Sequence, residues 1–289
     1  MKQYLKQLES EAIHIIRETY ASFKNPVLLY SIGKDSGVLV RLCQKAFHPA
    51  KIPFPLMHID TSFKFPEMYR FRDKFIAEND LKLVINSDDG SLNDGCNPYD
   101  YGVDTCCLHL KTRALLSGIK DNEFDAAIGG ARREEEKSRA KERIFSVRDG
   151  HGQWDPKNQK PEPWNLYNTF INKGETVRVF PLSNWTEIDV WNYIKEEEFS
   201  VVPLYFAKKR KMKKSCYGIL MPDEDGEDVM CRYRSLGCMP CTGAIESSAT
   251  TIDDIIEELK KIKRSERENR VIDLNSDSSM ENKKLEGYF

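Results

Sequence analysis

The sequence is short of four things. No apolar run approaches the ~20 consecutive residues a helix needs to cross a bilayer, so no membrane-spanning segment is expected. Charge of one sign is also missing: the formal net charge of the 289 residues is −2, so the chain has no global basic signature for nucleic acid, although local patches remain. The first residues, Met1-Lys2-Gln3-Tyr4-Leu5-Lys6-Gln7-Leu8-Glu9, are charged and helical in pattern and lack the apolar centre of a secretory signal. Internal repeats are absent too. These absences place the protein in the cytoplasm, where its eight cysteines are not expected to form structural disulfides. Metal, cluster or redox use of those thiols becomes the question. A content of 40% hydrophobic and 31% charged residues suits a soluble globular chain, long enough for one large α/β domain with extensions or for two small domains.

The pattern alternates strands and helices. Residues 3–23 carry apolar residues at helical spacing (Leu5, Leu8, Ala12, Ile15, Ile16, Tyr20). Buried parallel strands are read at Val27–Tyr30, Leu56–Asp60, Leu83–Ile85, Ala126–Ile128 and Val177–Leu182, with helices from Val38 to about residue 47 and from Pro66 to about Asn79. Strands alternating with helices predict a doubly wound, mainly parallel sheet, whose ligands lie outside the carboxyl ends of the strands. Ser31, Asp60 and Gly129 fall at such ends. Thr186 and Thr251 are read as helix N-caps, the second helix running to about Lys263, and residues 208–230 as an irregular loop or hairpin. We divide the chain into an α/β domain at 1–205 and a C-terminal extension at 206–289, helical and irregular, with a polar tail over the last 25 residues.

Between the first strand and its helix lies Ser31-Ile32-Gly33-Lys34-Asp35-Ser36-Gly37. A Ser/Gly-rich turn here aims several backbone N–H groups at one point, with the positive end of a helix dipole behind them. Ser31 and Ser36 add hydroxyl donors and Lys34 a positive charge, so the turn is an anion cradle. Its spacing matches neither G-x-x-x-x-G-K-[ST] nor G-x-G-x-x-G. A second motif follows the fourth strand, Gly129-Gly130-Ala131-Arg132-Arg133, and continues as a basic run through Lys137, Arg139, Lys141 and Arg143. The paired glycines allow backbone to approach a ligand closely, and guanidinium groups match phosphate or sulfate in a bidentate fork. Arg132, Arg133 and Arg139 are read as anion contacts because the run begins at a strand tip, whereas Glu134, Glu135 and Lys141 read as a solvated face of i,i+4 pairs.

The cradle resembles the S-x-G-x-D-S pyrophosphate loop of the N-type ATP pyrophosphatases, which split ATP between its α and β phosphates. Over nearly its whole length the chain resembles the small, catalytic subunits of heteromeric ATP sulfurylases, in the wider PAPS-reductase-like group. The matching stretches are 31–36, His58–Thr61, Gly129–Arg148, Trp164–Asn168, Arg178–Glu187, Val202–Ala207 and Glu286–Phe289. The resemblance implies an adenine nucleotide alpha hydrolase-like core. Ser31, Gly33, Asp35, Ser36 and Gly37 would hold the leaving pyrophosphate, and Lys34 would neutralise its charge. Gly129 and Gly130 would close on the nucleotide, Asp60 would sit near ribose or adenine, and Arg132, Arg133 and Arg139 would serve the reacting phosphates or the acceptor. ATP and Mg²⁺ are the implied cofactors.

Four cysteines depart from that pattern: Cys106-Cys107 and Cys238-Met239-Pro240-Cys241. Adenylylating sulfate requires no thiol. The set resembles the [4Fe–4S] ligands of APS reductases and of the ATP pyrophosphatases of DNA phosphorothioation; zinc in a Cys₄ site, redox or sulfur-relay thiols, and four small buried hydrophobes are the alternatives. A reductase itself is not expected, because no cysteine follows Cys241. Two readings result. The preferred one is an ATP pyrophosphatase for sulfur insertion into DNA, working with a cysteine desulfurase, its basic segments (Arg132–Arg143, Lys208–Lys214, Lys260–Arg270) tracking a phosphate backbone. The alternative is a sulfate adenylyltransferase small subunit with a GTPase partner. Either makes the protein part of an oligomer or heteromeric complex. A nucleotide-sensing subunit without turnover is disfavoured, because the cradle and the two arginines are retained together.

Overall fold

The computed structural model describes residues 1–216, 218–262, 265–271 and Gly287. Its central sheet has six strands, β1 (Pro26–Leu29), β2 (Leu56–Ile59), β3 (Leu83–Asn86), β4 (Ala126–Ile128), β5 (Phe145–Arg148) and β6 (Thr176–Val179), in the order β3-β2-β1-β4-β6-β5. All neighbouring pairs are parallel except β5–β6, which is antiparallel. β5 was not anticipated, because a four-residue edge strand just after the basic run is too short for its apolar periodicity to stand out.

Side chains alternate across the sheet. Leu28, Leu56 and Ile128 face the larger core, together with Leu5, Ala12, Ile15 and Ile16 of α1 (Gln3–Ser22) and Val38, Leu39 and Leu42 of α2 (Lys34–Phe47). Val27, Met57 and Ala127 face the opposite side, against Leu115 and Ile119 of the helix at Ala114–Asp121. Burial on both faces explains the continuous apolar runs of these strands and makes the sheet doubly wound, as expected. α3 (Pro66–Glu78) opens on its proline, and Thr186 and Thr251 each cap a helix by accepting the N–H three residues on, from Asp189 and Asp254. The second of these helices ends at Leu259, short of Lys263, which lies outside the described residues.

The segment read as an irregular loop or hairpin is antiparallel, as the hairpin alternative has it, and with the residues that follow it builds a second sheet. β7 (Lys208–Lys214), β8 (Leu220–Pro222), β9 (Glu227–Arg232) and β10 (Ile245–Glu246) pair antiparallel in the order β10-β9-β7-β8. β7 escaped notice because its sequence, Lys-Lys-Arg-Lys-Met-Lys-Lys, buries a single residue, Met212. Met212, Cys231, Tyr233 and Leu236 join the main core, so the second sheet packs on the first. Strand order reverses at β1, whose neighbours β2 and β4 lead the chain in opposite directions. A crevice opens at such a point, outside the carboxyl ends of β1 and β4, where Ser31 and Gly129 stand.

Candidate active site

The cradle forms as a strand–turn–helix. β1 ends at Leu29 and α2 starts at Lys34 with Gly33 at its N-cap. Ile32 adopts φ 66°, a left-handed conformation that is rare and costly for a β-branched residue. The turn is held from several sides. The Ser36 hydroxyl donates to the Gly33 carbonyl at 2.9 Å and lies 3.3 Å from Ser31 Oγ, and the Lys34 backbone N–H donates to Tyr205 Oη at 2.8 Å. Gly130 approaches from β4: a Cβ built there would stand 3.0 Å from Asp35 Cβ and 3.4 Å from the Ser36 nitrogen.

A cleft of about 240 Å³ opens beside this turn. Ser31, Gly33, Lys34, Asp35, Ser36, Gly129 and Gly130 line it, as the sequence suggested. One end is apolar, walled by Leu29, Met57, Ile59, Met68 and Leu115, and the rest is ringed by cations: Lys64, Lys111, Arg139, Arg267 and Arg270. Burial beside Lys111 and Arg72 pulls the Lys64 pKa down despite the nearby Cys238 and Asp60. A cleft that keeps like charges together in this way favours a polyanionic ligand.

Other predicted residues stand elsewhere. Gly37 backs onto Phe199, outside the cleft. Asp60 accepts from Tyr69 Oη at 2.7 Å and from the Ser62 N–H at 2.9 Å beyond the cleft lining, and burial, which opposes its charge, is outweighed by these bonds so that its pKa is lowered. Arg133 donates to Asn184 Oδ1 at 2.6 Å, away from the cradle. Arg132 is 1% exposed and does not line the cleft. Its Nε donates to Asp35 at 2.7 Å and its two terminal nitrogens reach Glu134 at 3.1 Å and Glu266 at 2.8 Å.

Lys34 is equally enclosed. Its ammonium pairs with Glu266, stands 3.3 Å from Asp35 and donates to the Arg234 carbonyl at 3.3 Å. Burial disfavours its charge, yet Asp35 and Glu266 outweigh that and raise its pKa. Lys34, expected to neutralise the pyrophosphate charge, and Arg132, expected as an anion contact, are thus both paired with carboxylates beside the cradle. Glu135, read as part of a solvated face, is largely shielded from solvent, with Arg139 at 3.3 Å and Arg267 at 3.8 Å.

Sequence reasoning missed Lys64, Lys111, Tyr205 and Glu266, and it read Arg267 and Arg270 only as part of the basic segment Lys260–Arg270 for a nucleic-acid backbone. Glu266 and Arg270 fall in a charged stretch that reads as a surface tail. Only the interruption of its basic run by Glu266 and Glu268 could have signalled an internal partner. The basic stretch of β7 is partly compensated in place, with Lys211 facing Asp228 at 3.7 Å and Lys213 facing Asp223 at 3.9 Å.

The expected metal set is also corrected. Cys106, Cys107, Cys238 and Cys241 are all buried and unbridged, and among the described residues no three His, Cys, Asp or Glu side chains come together as a metal-binding group. The thiols have other partners: Cys106 bonds with Cys96, and Cys238 Sγ lies 3.1 Å from Thr61 Oγ1. Burial first, then the neighbouring Cys107, Cys96, Cys238 and Cys241, push Cys106 up to about 12, and burial does the same for Cys241. Burial opposes ionisation at Cys238 as well, but Lys111 and Lys64 outweigh it and lower that pKa. The residues as arranged do not fit an iron–sulfur or zinc centre. Among the described residues no helix is long and apolar enough to cross a membrane.

Comparison with known proteins agrees with this geometry. A solved FMN adenylyltransferase of Candida glabrata in complex with ATP superposes with a TM-score of 0.52 over 92% of this chain and 87% of its own, at 15% identity, which supports the fold alone. Proteins named sulfate adenylyltransferase subunit 2 from Myxococcus xanthus and Phocaeicola vulgatus are each 54% identical, covering 99% of this chain and 97% of theirs. The profile of the phosphoadenosine phosphosulfate reductase domain matches residues 25–244. The chain belongs to the phosphoadenosine phosphosulfate reductase domain family and, within it, groups with the sulfate adenylyltransferase subunit 2 proteins.

Proposed function

We propose that the chain is the catalytic small subunit of a sulfate adenylyltransferase, joining sulfate to the AMP part of ATP and releasing pyrophosphate. The observation that carries the reaction type is the cradle at 31–36 opening into a cleft with one apolar end and a ring of cations. The 54% identical relatives favour sulfate as acceptor. They reverse the order of the two readings drawn from the sequence, because the thiols that favoured sulfur insertion into DNA are not arranged as a cluster site. The desulfurase and DNA go with the reading set aside. A GTPase subunit is the partner this reading expects, and residues 206–289 act as an extension that completes the cleft of 1–205.

In this reading adenine occupies the apolar end against Leu29, Met57 and Ile59, and the β and γ phosphates meet the backbone N–H groups and hydroxyls of 31–36. A sulfate oxygen attacks the α-phosphorus in line. The new O–P bond forms as the α–β anhydride bond breaks, and its electrons leave on pyrophosphate. Arg139, Arg267, Arg270, Lys64 and Lys111 screen two anions brought together, and the rate comes from positioning and charge stabilisation. Each of the three carboxylates lining the cleft (Asp35, Glu135, Glu266) already has a cation partner, so Mg²⁺ would be held chiefly by ATP phosphates and water, supplying further neutralisation.

The test is pyrophosphate release from ATP by the chain with its partner subunit, with sulfate or molybdate added. Either oxyanion should stimulate release. Release indifferent to both, but dependent on DNA and a sulfur donor, would overturn the reading.

A further inference from the structure

The short helical turn Glu266–Asn269 and its flanks reach the cradle from about 230 positions further along the chain. Its carboxylate closes a ring of four charges. Glu266 pairs with Lys34 through one oxygen and with Arg132 through the other at 2.8 Å; Arg132 returns to Asp35 at 2.7 Å, and Asp35 stands 3.3 Å from Lys34. The ring joins the first turn of α2, the loop after β4 and the C-terminal segment. With Glu187 and Arg234, paired at 2.6 Å beside it, three carboxylates balance three buried cations.

We propose that Glu266 is a positioning residue for the adenylyl transfer: it fixes Lys34 and Arg132 behind the cradle so that Asp35, Ser36 and the backbone N–H groups of the turn keep the geometry that receives the leaving pyrophosphate. This rests on the adenylyltransferase reading. Two observations set it apart from a role in holding the tail down. The segment has its own anchors, since the Ser265 hydroxyl donates to the Glu135 carbonyl at 2.7 Å and Arg270 Nε donates to Ser235 Oγ at 3.0 Å. And the Lys34 ammonium spends its donors on Glu266, Asp35 and the Arg234 carbonyl, so it cannot turn to a phosphate without losing a partner. Without the Glu266 charge, each cation keeps its pairing with Asp35 but loses its partner on the far side, so each can shift toward the triphosphate. They would then bind ground-state ATP as well as before or better, while the cradle loses its alignment for the transition state.

The experiment compares the wild-type complex with Glu266→Gln and Glu266→Asp, reading kcat for sulfate-dependent pyrophosphate release and, separately, ATP affinity by calorimetry. E266Q should lower kcat by about 10²-fold, the order expected from an ångström-scale misplacement, with ATP affinity unchanged or tighter. E266D should recover part of the loss. The double variant K34M/E266Q, which removes a buried cation along with the carboxylate, should fall below K34M by less than E266Q falls below wild type, through the Arg132 pairing alone, and its comparison with K34M supplies the test should E266Q fail to fold. Additive losses, or ATP affinity falling in step with kcat, would overturn the proposal, as would wild-type kcat in E266Q. A kcat raised by E266Q would also overturn it and make Glu266 a latch. A wild-type complex that releases no pyrophosphate with any oxyanion fails the adenylyltransferase reading and this inference with it, whereas an active wild type with an unaffected E266Q fails this inference alone.

Discussion

Replacing Gly130 by alanine tests whether the loop after β4 sets the shape of the cradle. The added Cβ would lie 3.0 Å from Asp35 Cβ, 3.3 Å from the Asp35 carbonyl carbon and 3.4 Å from the Ser36 nitrogen. None of these atoms can rotate aside. They belong to the first turn of α2, and the Asp35 carboxylate is tied to Arg132 at 2.7 Å. Relief must come from moving that turn by a few tenths of an ångström, which carries Ser36 and its bond to the Gly33 carbonyl along. Gly130 has no positive φ that alanine would strain, so the cost is overpacking alone, about 1–3 kcal/mol.

If half or more of that cost falls on the phosphate-binding geometry, ATP binds about tenfold more weakly, since 1.4 kcal/mol is one decade. The assay is calorimetric titration of ATP into the G130A chain, with a thermal melt to report the part of the cost borne by the fold. Gly90→Ala is the control, because its Cβ would meet nothing nearer than Asp88 Oδ1 at 3.6 Å. G130A that binds ATP within twofold of wild type, with the G90A melting temperature, would refute the reasoning.

Other consequences can be measured. Tyr205→Phe removes the acceptor of the Lys34 N–H; an unpaired buried donor costs about 1–3 kcal/mol, so the KM for ATP should rise severalfold in steady-state kinetics. Arg139→Ala should lower kcat/KM by at least about tenfold, the order of one charge-assisted hydrogen bond, whereas Arg133→Ala, whose guanidinium holds Asn184, should stay within about threefold; equal losses would place the anion contacts differently. His58 is buried with Nδ1 donating to the Tyr30 carbonyl, and burial lowers its pKa to about 3. Between about pH 6.5 and 3 the unfolded chain then binds a proton that the folded chain refuses, so stability is full above that window and falls as pH drops through it, by about 1.4 kcal/mol per unit of depression at most; urea midpoints at pH 7.5 and 5 should differ less in His58→Asn than in wild type.

The fold was legible where one physical signal dominated. β1, β2 and β4 are buried on both faces, and that leaves uninterrupted apolar runs no exposed strand would carry. Thr186 and Thr251 announce their helices because an N-cap needs a short side-chain oxygen before the first free N–H groups. β5 and β7 were lost for the opposite reason. β7 is exposed along most of its length, so its sequence is written by charge; β5 is only four residues long, and the strand state of each is set by the neighbours it pairs with.

The site divides along the same line. Ser31–Ser36 and Gly129–Gly130 could be read locally, since a turn that gathers N–H groups and a glycine that admits close backbone approach are properties of a few adjacent residues. Lys34 and Arg132 could not. A cation beside an anion cradle is chemically suited to binding the anion or to bracing the loop, and the choice depends on whether a carboxylate arrives from elsewhere. Here it arrives from Glu266, in a stretch whose composition reads as a solvated tail. The thiols illustrate the converse. Spacing gathered Cys106, Cys107, Cys238 and Cys241 into a ligand set, but ligation requires converging sulfur atoms that shed their protons. Cys106 instead hydrogen-bonds with Cys96 and Cys238 with Thr61, and among the described residues no three ligand-type side chains converge as a metal group. Charge and metal chemistry are decided by long-range partners, so motif spacing alone fixes which groups are available and leaves open which of them meet.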